Sequence, residues 1–294
     1  MSSLVPDRAA VVAHFGVDGL RRLEPGWLRG AMLPEAARGL LEATGVPRSV
    51  GFYFRAPADD EPGTLGSFAA HRARPDPPAV MAAWPRIGGD GMADLCARPD
   101  GAVQAVMPTD VGSDRFVSSS LESLNASLLV LDRELPVIAT ASGLAEAASA
   151  FRELHQKLRE IDTAAFSDRE NWWPRVLDDV RHTLNFPFSA TFEYVDGSGG
   201  KRVVTESTGP GQPHPEEMVW RRLVGEGVSP GQVRRVYCEL EPCLMPGHYC
   251  AVWMQQTFPD AQFSHSFDYG DTAVSREEGF KELIVHAARQ ARGR

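Results

Sequence analysis

The sequence lacks several features that would assign it to a common class of protein. No apolar run approaches the roughly 20 residues that a membrane-spanning helix needs, and the N-terminus MSSLVPDRAA lacks the charged-then-apolar order of a signal peptide. Its 4 cysteines are too few for a disulfide framework in 294 residues, and a reducing compartment would leave their thiolates free to bind metal. These absences predict a cytoplasmic protein with no membrane partner.

An excess of basic residues is also missing. Residues 188–294 contain 11 Lys and Arg against 14 Asp and Glu, a net charge of −3, and the remaining residues contain 19 against 25, a net charge of −6. A protein that grips nucleic acid mainly through its phosphates carries a basic excess. The composition therefore argues against tight non-specific binding of DNA or RNA.

What the sequence does contain is typical of a globular protein with two domains. Hydrophobic residues make up 43% of the chain and charged residues 23%, and 294 residues suffice for two ordinary cores. Residues 1–187 predict an α+β domain, in which VGFYFRA is one short strand and two long helices come last. The helical pattern stops near Asn185-Phe186-Pro187, so we place the second domain at residues 188–294.

The last of those helices carries a pair of tryptophans, Trp172 and Trp173. A tryptophan pair can serve as a stacking platform for bases. Here the pair shares an apolar stripe of helical spacing with Val176, Leu177 and Val180. We therefore expect both rings to lie in a core.

Two stretches of the second domain hold the side chains of a complete zinc site. PHPEE contributes His214 and Glu216, and ELEPCLMPGHYC contributes Cys243 and Cys250. A hydrolytic zinc site needs three protein ligands, an open position for water, and a base close enough to take the proton of that water. One imidazole and two thiolates meet the first need, and the carboxylate of Glu216 meets the last.

Local patterns place these groups at the starts of two helices. Two alternating segments joined by DGSGG predict a hairpin, and Pro215 suits the first position of the helix that follows. QVRRVYCEL predicts a strand, and the turn signal Pro246-Gly247 allows Cys250 to begin a second helix. The order hairpin, helix, strand, helix, strand, helix brings both helix starts to one sheet.

The HPE at 214–216 and the PC at 242–243 resemble the H-x-E and P-C-x-x-C motifs of the zinc nucleobase deaminases. Six residues, instead of two, separate Cys243 from Cys250. With this longer loop, the chain from about Phe188 onward resembles the bacterial toxin-type members of the cytidine-deaminase-like superfamily.

That resemblance implies an α/β three-layer domain in which Zn2+ is bound by His214, Cys243 and Cys250. It implies that Glu216 is the catalytic base, and that the enzyme is a hydrolase that releases ammonia from a nucleobase. Cytosine is favoured over adenine, in single-stranded nucleic acid or in a nucleotide. The sequence does not distinguish DNA, RNA and mononucleotide.

Other side chains near the motifs are candidates for further roles. Cys238 and His248 are reserve ligands, in case the loop places Cys250 away from the metal. Four residues flank the pocket if the strands run as predicted, and would contact a base or a phosphate: Tyr237, His265, Tyr269 and Arg276. Each also has an ordinary interpretation, because strand aromatics commonly lie in a core and arginines on a surface.

The first domain resembles the SUKH superfamily of bacterial immunity proteins, and within it the fourth subfamily. The resemblance lies in FGVDGL, LPEAARGLLEATGVP, IGGDGMADLC with PDGAV, and RFVSSSLESL. Such domains neutralise toxins by binding them, so the resemblance implies a protein partner and no catalysis. An alternative stays open, in which the chain is a non-catalytic immunity or partner-binding protein and zinc is structural. A fourth protein ligand, Cys238 or His248, would favour that alternative, and water in the fourth position would favour the enzyme.

Overall fold

The computed structural model describes residues 6–108, 112–185 and 187–292. Two compact units divide the chain: the N-terminal unit runs to Ile138 and resumes at Ala148–Leu177, and the C-terminal unit comprises Ala139–Ala147 and Asp178–Arg294. Of the boundary predicted at Asn185-Phe186-Pro187, Phe186 lies outside the described residues.

Helices and an antiparallel sheet form the N-terminal unit. The helices are α1 (Arg8–Phe15), α2 (Glu35–Ala43), α3 (Leu65–His71), and all but the ends of α4 (Leu121–Ala139) and α5 (Leu144–Ile161) that adjoin their connection. The strands are β1 (Leu20–Arg21), β2 (Val46–Pro47), β3 (Ser49–Val50), β4 (Phe54–Arg55), β5 (Arg86–Gly89), β6 (Asp94–Ala97), β7 (Val103–Val106) and β8 (Arg115–Ser118). Within the described residues, β3 to β8 pair in chain order, each antiparallel to the next, and β1 pairs with β2.

The sequence VGFYFRA does not form the single strand that its apolar composition predicts. Gly51 has φ of 51°, a left-handed conformation, and the chain reverses there to give the short antiparallel pair β3 and β4. The single-strand prediction was wrong because the glycine permits a reversal that the apolar pattern does not reveal.

The core of the N-terminal unit includes the start of α6 (Trp172–Asn185), the helix within which the two units divide. Trp172 and Trp173 are buried, and the indole N–H of Trp172 donates to Asp90 Oδ2 at 2.8 Å. The prediction that the tryptophan pair belongs to a core is confirmed.

A mixed sheet with helices forms the C-terminal unit. Its elements from residue 187 onward are β9 (Ser189–Val195), β10 (Lys201–Ser207), α7 (Pro215–Gly225), β11 (Val233–Leu240), α8 (Cys250–Thr257), β12 (Gln262–Phe267) and α9 (Ala273–Arg292). In the described part of the chain the strand order is β10-β9-β11-β12. Strand β9 is antiparallel to both of its neighbours, whereas β11 and β12 are parallel and are connected through α8. The predicted mixture of helices and strands in both halves is confirmed.

Strand β11 separates the two faces of this sheet by simple alternation. Val236, Cys238 and Leu240 are buried, whereas Tyr237 between them is exposed. The buried face belongs to the core that includes Val219 of α7 and Met254 of α8. Side chains on this face therefore point toward the helices that carry the predicted ligands.

None of the helices in residues 6–108, 112–185 and 187–292 combines the length and the apolar character needed to cross a membrane.

Candidate metal centre

The first half of the site is built by the start of α7. His214 is the residue before the helix, with extended backbone angles, and Pro215 occupies the first helical position. The backbone N–H of His214 donates to Glu217 Oε2 at 2.9 Å, which satisfies a donor that the helix itself leaves unpaired. Glu216 and Glu217 both lie in the first turn, where the helix dipole favours negative charge.

The second half is built by the loop that connects β11 to α8. Gly247 and Tyr249 both have left-handed backbones, with φ of 84° and 46°. Glycine adopts this conformation freely, whereas for Tyr249 it costs about 1–2 kcal/mol. The N–H of Ala251 donates to the carbonyl of Cys243 at 3.1 Å and closes the loop. The chain thus bulges out by six residues and returns, so that Cys250 begins α8 beside Cys243.

These two halves bring one imidazole and two sulfurs together. His214 Nδ1 lies 3.4 Å from Cys243 Sγ and 3.5 Å from Cys250 Sγ, and all three side chains are buried. Zinc binds imidazole nitrogen at about 2.0 Å and thiolate sulfur at about 2.3 Å, so nitrogen and sulfur ligands of a tetrahedral site lie about 3.5 Å apart. The three atoms therefore have the spacing of a zinc ligand set.

The surroundings of the two cysteines favour the thiolate form of Cys243. Burial raises the pKa of Cys243, but the hydrogen bond from the Cys250 thiol and the charge on His214 outweigh burial and hold that pKa well below the ordinary value. Burial and the same hydrogen bond raise the pKa of Cys250 well above the ordinary value. The two sulfurs thus share one proton, which a metal ion would displace.

Glu216 is buried beside this group, with only 3% of its surface exposed. The thiol of Cys238 donates a hydrogen bond to its carboxylate, but its Oε2 has no hydrogen-bond partner among the described residues. Burial raises the pKa of Glu216 above the ordinary value. The site therefore holds a carboxyl group that keeps its proton to a higher pH than an exposed glutamate does.

A small cavity adjoins the carboxylate and the ligand group. About 10 Å³ of it is open to the centre of a water molecule, which is room for about one water. Its wall comprises Asp179, His182, Thr183, Phe188, His214, Glu216, Leu240, Glu241, Cys243 and Tyr269.

Of the four candidate substrate-binding residues, Tyr269 lines this cavity and the other three do not. Tyr237 lies on the opposite face of β11, where its hydroxyl contacts Ser266 Oγ at 2.7 Å. His265 is exposed on β12, with Nε2 3.0 Å from Asp268 Oδ1. Both were expected near the pocket, but strand alternation turns Tyr237 away from it, and the edge strand β12 exposes His265.

Arg276 is buried and paired with an acid. Its guanidinium donates to Asp178 Oδ2 at 3.3 Å and to the carbonyl of Asp271 at 2.6 Å. Arg276 therefore contacts residues of the C-terminal unit and does not line the cavity.

The two reserve ligands lie beside the group of three without joining it. Cys238 donates to Glu216. His248 has Nδ1 2.9 Å from Glu217 Oε2 and Nε2 3.3 Å from Asp179 Oδ2. Burial and the charge on His214 lower the pKa of His248, but the carboxylates of Asp179 and Glu217 outweigh them and raise it to about 9.

Sequence reasoning missed two residues of α6 that form part of this site. Asp179 Oδ1 lies 2.9 Å from His214 Nε2, and His182 Nδ1 lies 2.5 Å from the hydroxyl of Tyr269. A signal was present, because Asp179 falls three residues after Val176 and so on the apolar stripe of the helix. An acid on a buried helix face is rare unless it is paired, which makes it a candidate for a buried polar contact.

Comparison with known families assigns different families to the N-terminal and C-terminal parts of the chain, as the motifs do. A family model described as SUKH-4 immunity protein matches residues 6–179, and one described as Xanthomonas-like deaminase matches residues 187–286. Neither the curated proteins nor the solved structures gave a match. Both family resemblances inferred from the sequence are confirmed.

Proposed function

We propose that this chain, which belongs to the SUKH-4 immunity protein family and also carries a Xanthomonas-like deaminase domain, is a zinc-dependent nucleobase deaminase joined to a partner-binding domain. The observation that carries the proposal is the position of Glu216. Its buried carboxylate lines the same cavity as His214 and Cys243, and one of its oxygens has no hydrogen-bond partner among the described residues.

Zinc fits the residues that are present. His214, Cys243 and Cys250 would hold it, since their donor atoms have the spacing of a tetrahedral site and one thiolate is already favoured. When bound, zinc supplies Lewis acidity that brings the pKa of a water molecule to about 7. The strand order of the C-terminal unit, with α7 and α8 supplying the ligands, supports the cytidine-deaminase-like three-layer fold.

Glu216 would move the protons of the reaction. Its Oε2 accepts a proton from water, whose oxygen bonds to the ring carbon that carries the amino group. The carboxyl group passes this proton to the ring nitrogen next to that carbon, and then carries the proton of the new hydroxyl group to the amine. The carbon–nitrogen bond breaks as the hydroxyl becomes a carbonyl, and the amine leaves as ammonia. A pKa raised by burial suits this role, because a carboxyl group that both takes and returns a proton works best with a pKa near the working pH.

The substrate would be cytosine, in preference to adenine, in single-stranded nucleic acid or in a nucleotide. Phe188, His182 and Tyr269 give the cavity ring surfaces on which a base can stack. Because the cavity has room for about one water, a base would enter only after part of this wall moves. The SUKH-4 domain supports a protein partner, which the N-terminal unit would bind.

The alternative, a structural zinc module without activity, requires a fourth protein ligand. Among the described residues, neither reserve ligand takes this place: Cys238 hydrogen-bonds to Glu216, and both ring nitrogens of His248 face carboxylate oxygens. These contacts support an open fourth position and therefore the enzyme.

Metal content and ammonia release, measured on the full chain, test the proposal. We expect about one zinc per chain, and loss of both zinc and activity in Cys243→Ser and Cys250→Ser. Cys96→Ser, a buried cysteine of β6 in the N-terminal unit, is the matched control and should keep both. Cys238→Ser should keep zinc, whereas loss of zinc in this variant would identify Cys238 as a fourth ligand and favour the structural module.

Substrate choice is a separate measurement. Single-stranded DNA, RNA and free nucleotides that contain either cytosine or adenine would be incubated with the zinc-loaded chain, and each product identified by its mass. A zinc-loaded chain that releases ammonia from none of them would contradict the proposed function.

A further inference from the structure

We infer that Asp179 and His248 are positioning residues of the metal centre, which together fix the orientation of His214. The inference rests on the proposed function, because it concerns the same ligand group. Asp179 comes from α6 and lies outside residues 187–286, the segment that matches the deaminase family. His248 comes from the six-residue loop that distinguishes this chain from the P-C-x-x-C pattern.

Asp179 connects two imidazoles through its two carboxylate oxygens. Oδ1 lies 2.9 Å from His214 Nε2, and Oδ2 lies 3.3 Å from His248 Nε2. Because Nδ1 of His214 faces the two sulfurs, its Nε2 carries the hydrogen and donates it to Asp179. A carboxylate in this position fixes both the tautomer and the rotation of a ligand histidine. Asp179 is 3% exposed, so water does not compete for the contact.

The ring of His248 packs against the face of the His214 ring. The two rings stack with centroids 3.8 Å apart and planes 5° apart. Nδ1 of His248 donates to Glu217 Oε2 at 2.9 Å, and the same oxygen accepts the backbone N–H of His214 at 2.9 Å. His214 is thus restrained at its backbone, at Nε2 and across its ring plane.

The longer spacing between the cysteines supplies one of these contacts. The six-residue loop carries His248 into a buried position between two acids. The loop therefore adds a contact to the site as well as returning the chain to it.

A second metal ion is the competing explanation, since Asp179, His214 and His248 also lie close enough to hold one. If they did, His214 would have to give up the hydrogen on Nε2 and bridge two ions. The 2.9 Å contact between His214 Nε2 and Asp179 Oδ1 has the length of a direct hydrogen bond. Metal stoichiometry distinguishes the two: one ion per chain supports positioning, and two would overturn it.

The test uses full-length Asp179→Asn and His248→Phe. The Asn amide offers one acceptor and one donor group, so one of the two histidines would face a donor. Phe keeps the stacked ring and removes both N–H donors. Asp178→Asn is the matched control, because it makes the same change one residue earlier, where the acid pairs with Arg276 and Arg181 and not with His214.

Zinc affinity, by competition with a chromophoric chelator, is the first readout. We expect it to fall about 10–100-fold in Asp179→Asn and His248→Phe, to remain unchanged in Asp178→Asn, and to recover in part in Asp179→Glu, which restores the carboxylate. The absorption spectrum of the cobalt-substituted protein is the second readout. A change in ligand geometry shifts its bands, whereas a merely structural role would leave them as in the parent.

The outcomes separate this inference from the proposed function. A parent chain that binds no zinc refutes the proposed function. A parent that binds zinc, with Asp179→Asn and His248→Phe equal to it in affinity and cobalt spectrum, refutes the positioning role alone. Should Asp179→Asn fail to fold, the comparison of Asp179→Glu and His248→Phe with Asp178→Asn decides by the same criteria.

Discussion

Glu216 and Glu217 are adjacent in the sequence and are predicted to respond in opposite ways to the same substitution. Both lie in the first turn of α7, and replacement by glutamine changes their charge without changing their size. Glu216 has an oxygen without a hydrogen-bond partner among the described residues, whereas Glu217 Oε2 accepts two hydrogen bonds. We expect Glu216→Gln to lose activity and Glu217→Gln to lose stability.

The loss in Glu217→Gln follows from its two contacts. A hydrogen bond to a charged group contributes about 1 kcal/mol more than a neutral one, so weakening the bonds from His214 and His248 should cost about 1–2 kcal/mol. Burial raises the pKa of Glu217, but the hydrogen bond and the charge of His248 outweigh it and lower that pKa. A lowered pKa stabilises the fold above the ordinary glutamate pKa, and this stabilisation disappears as the pH falls through the lowered value.

For Glu216 the pKa shift, and with it the effect of pH on stability, has the opposite sign. Its pKa is raised by burial, so the folded state binds the proton more tightly than the unfolded chain does. Stability therefore decreases as the pH rises from the ordinary glutamate pKa to the raised value. Glu216→Gln removes this decrease, and at neutral pH it should be at least as stable as the parent. Loss of a general base should lower turnover by about 10²–10⁴-fold.

Three measurements on each variant test this pair: zinc per chain, ammonia release, and urea unfolding of the chelator-treated protein from pH 4 to 8. Both variants should retain zinc, since the proposed ligands are His214, Cys243 and Cys250. Full activity in Glu216→Gln would refute its role as the base. A Glu217→Gln variant as inactive as Glu216→Gln, with unchanged unfolding, would refute the division of roles.

The remaining predictions concern zinc, pH and the N-terminal core. Chelation should destabilise the zinc-loaded chain by about 3–4 kcal/mol when free zinc exceeds its Kd by about 100–1,000-fold, and a melting temperature indifferent to chelator would contradict the site. Burial, with the charge of Arg181, lowers the pKa of His182 from 6.5 to about 3, so unfolding free energy should fall by up to about 1.4 kcal/mol per pH unit below 6.5. His182→Gln should reduce this dependence of the unfolding free energy on pH. A variant whose unfolding free energy falls with pH as steeply as that of the parent would refute the role of His182. Trp172→Phe should lower the free energy of unfolding by about 1–3 kcal/mol more than Trp173→Phe does. The reason is that Trp172 donates to Asp90, whereas Trp173 Nε1 has no partner among the described residues. Equal losses of unfolding free energy in urea would show that the hydrogen bond to Asp90 does not stabilise the fold.

The sequence predicted the local part of the site because its signals are local. Pro215 fixes the first helical position of α7, and His214 is therefore at the helix start. The turn signal at Pro246-Gly247 lets the loop return, and Cys250 begins α8 as expected. Such features depend on a few neighbouring residues, whose backbone preferences can be read directly.

The contacts between distant residues were not accessible in the same way. Asp179 and His214 are 35 positions apart, on different helices, and no spacing rule connects them. The expectation that Tyr237 lies near the pocket failed for a different reason, because the pattern of the strand already indicates which way Tyr237 faces. Val236, Cys238 and Leu240 alternate as one apolar face of the predicted strand. Tyr237 lies between them and must therefore face away from that side.

The buried polar atoms around the candidate site differ in whether they have hydrogen-bond partners. This difference distinguishes the atoms that would hold His214 from the atom that would accept a proton. Both oxygens of Asp179 and both ring nitrogens of His248 have partners, and from these contacts we infer that His214 is held in one orientation. Glu216 lines the same cavity as His214, and its Oε2 is buried without a partner among the described residues. A buried polar atom without a partner costs about 1–3 kcal/mol, and the proposed role of Glu216 as general base accounts for this cost. An imidazole held in one orientation and an unsatisfied carboxylate oxygen are the two features that the proposed hydrolytic metal centre would need before its substrate arrives.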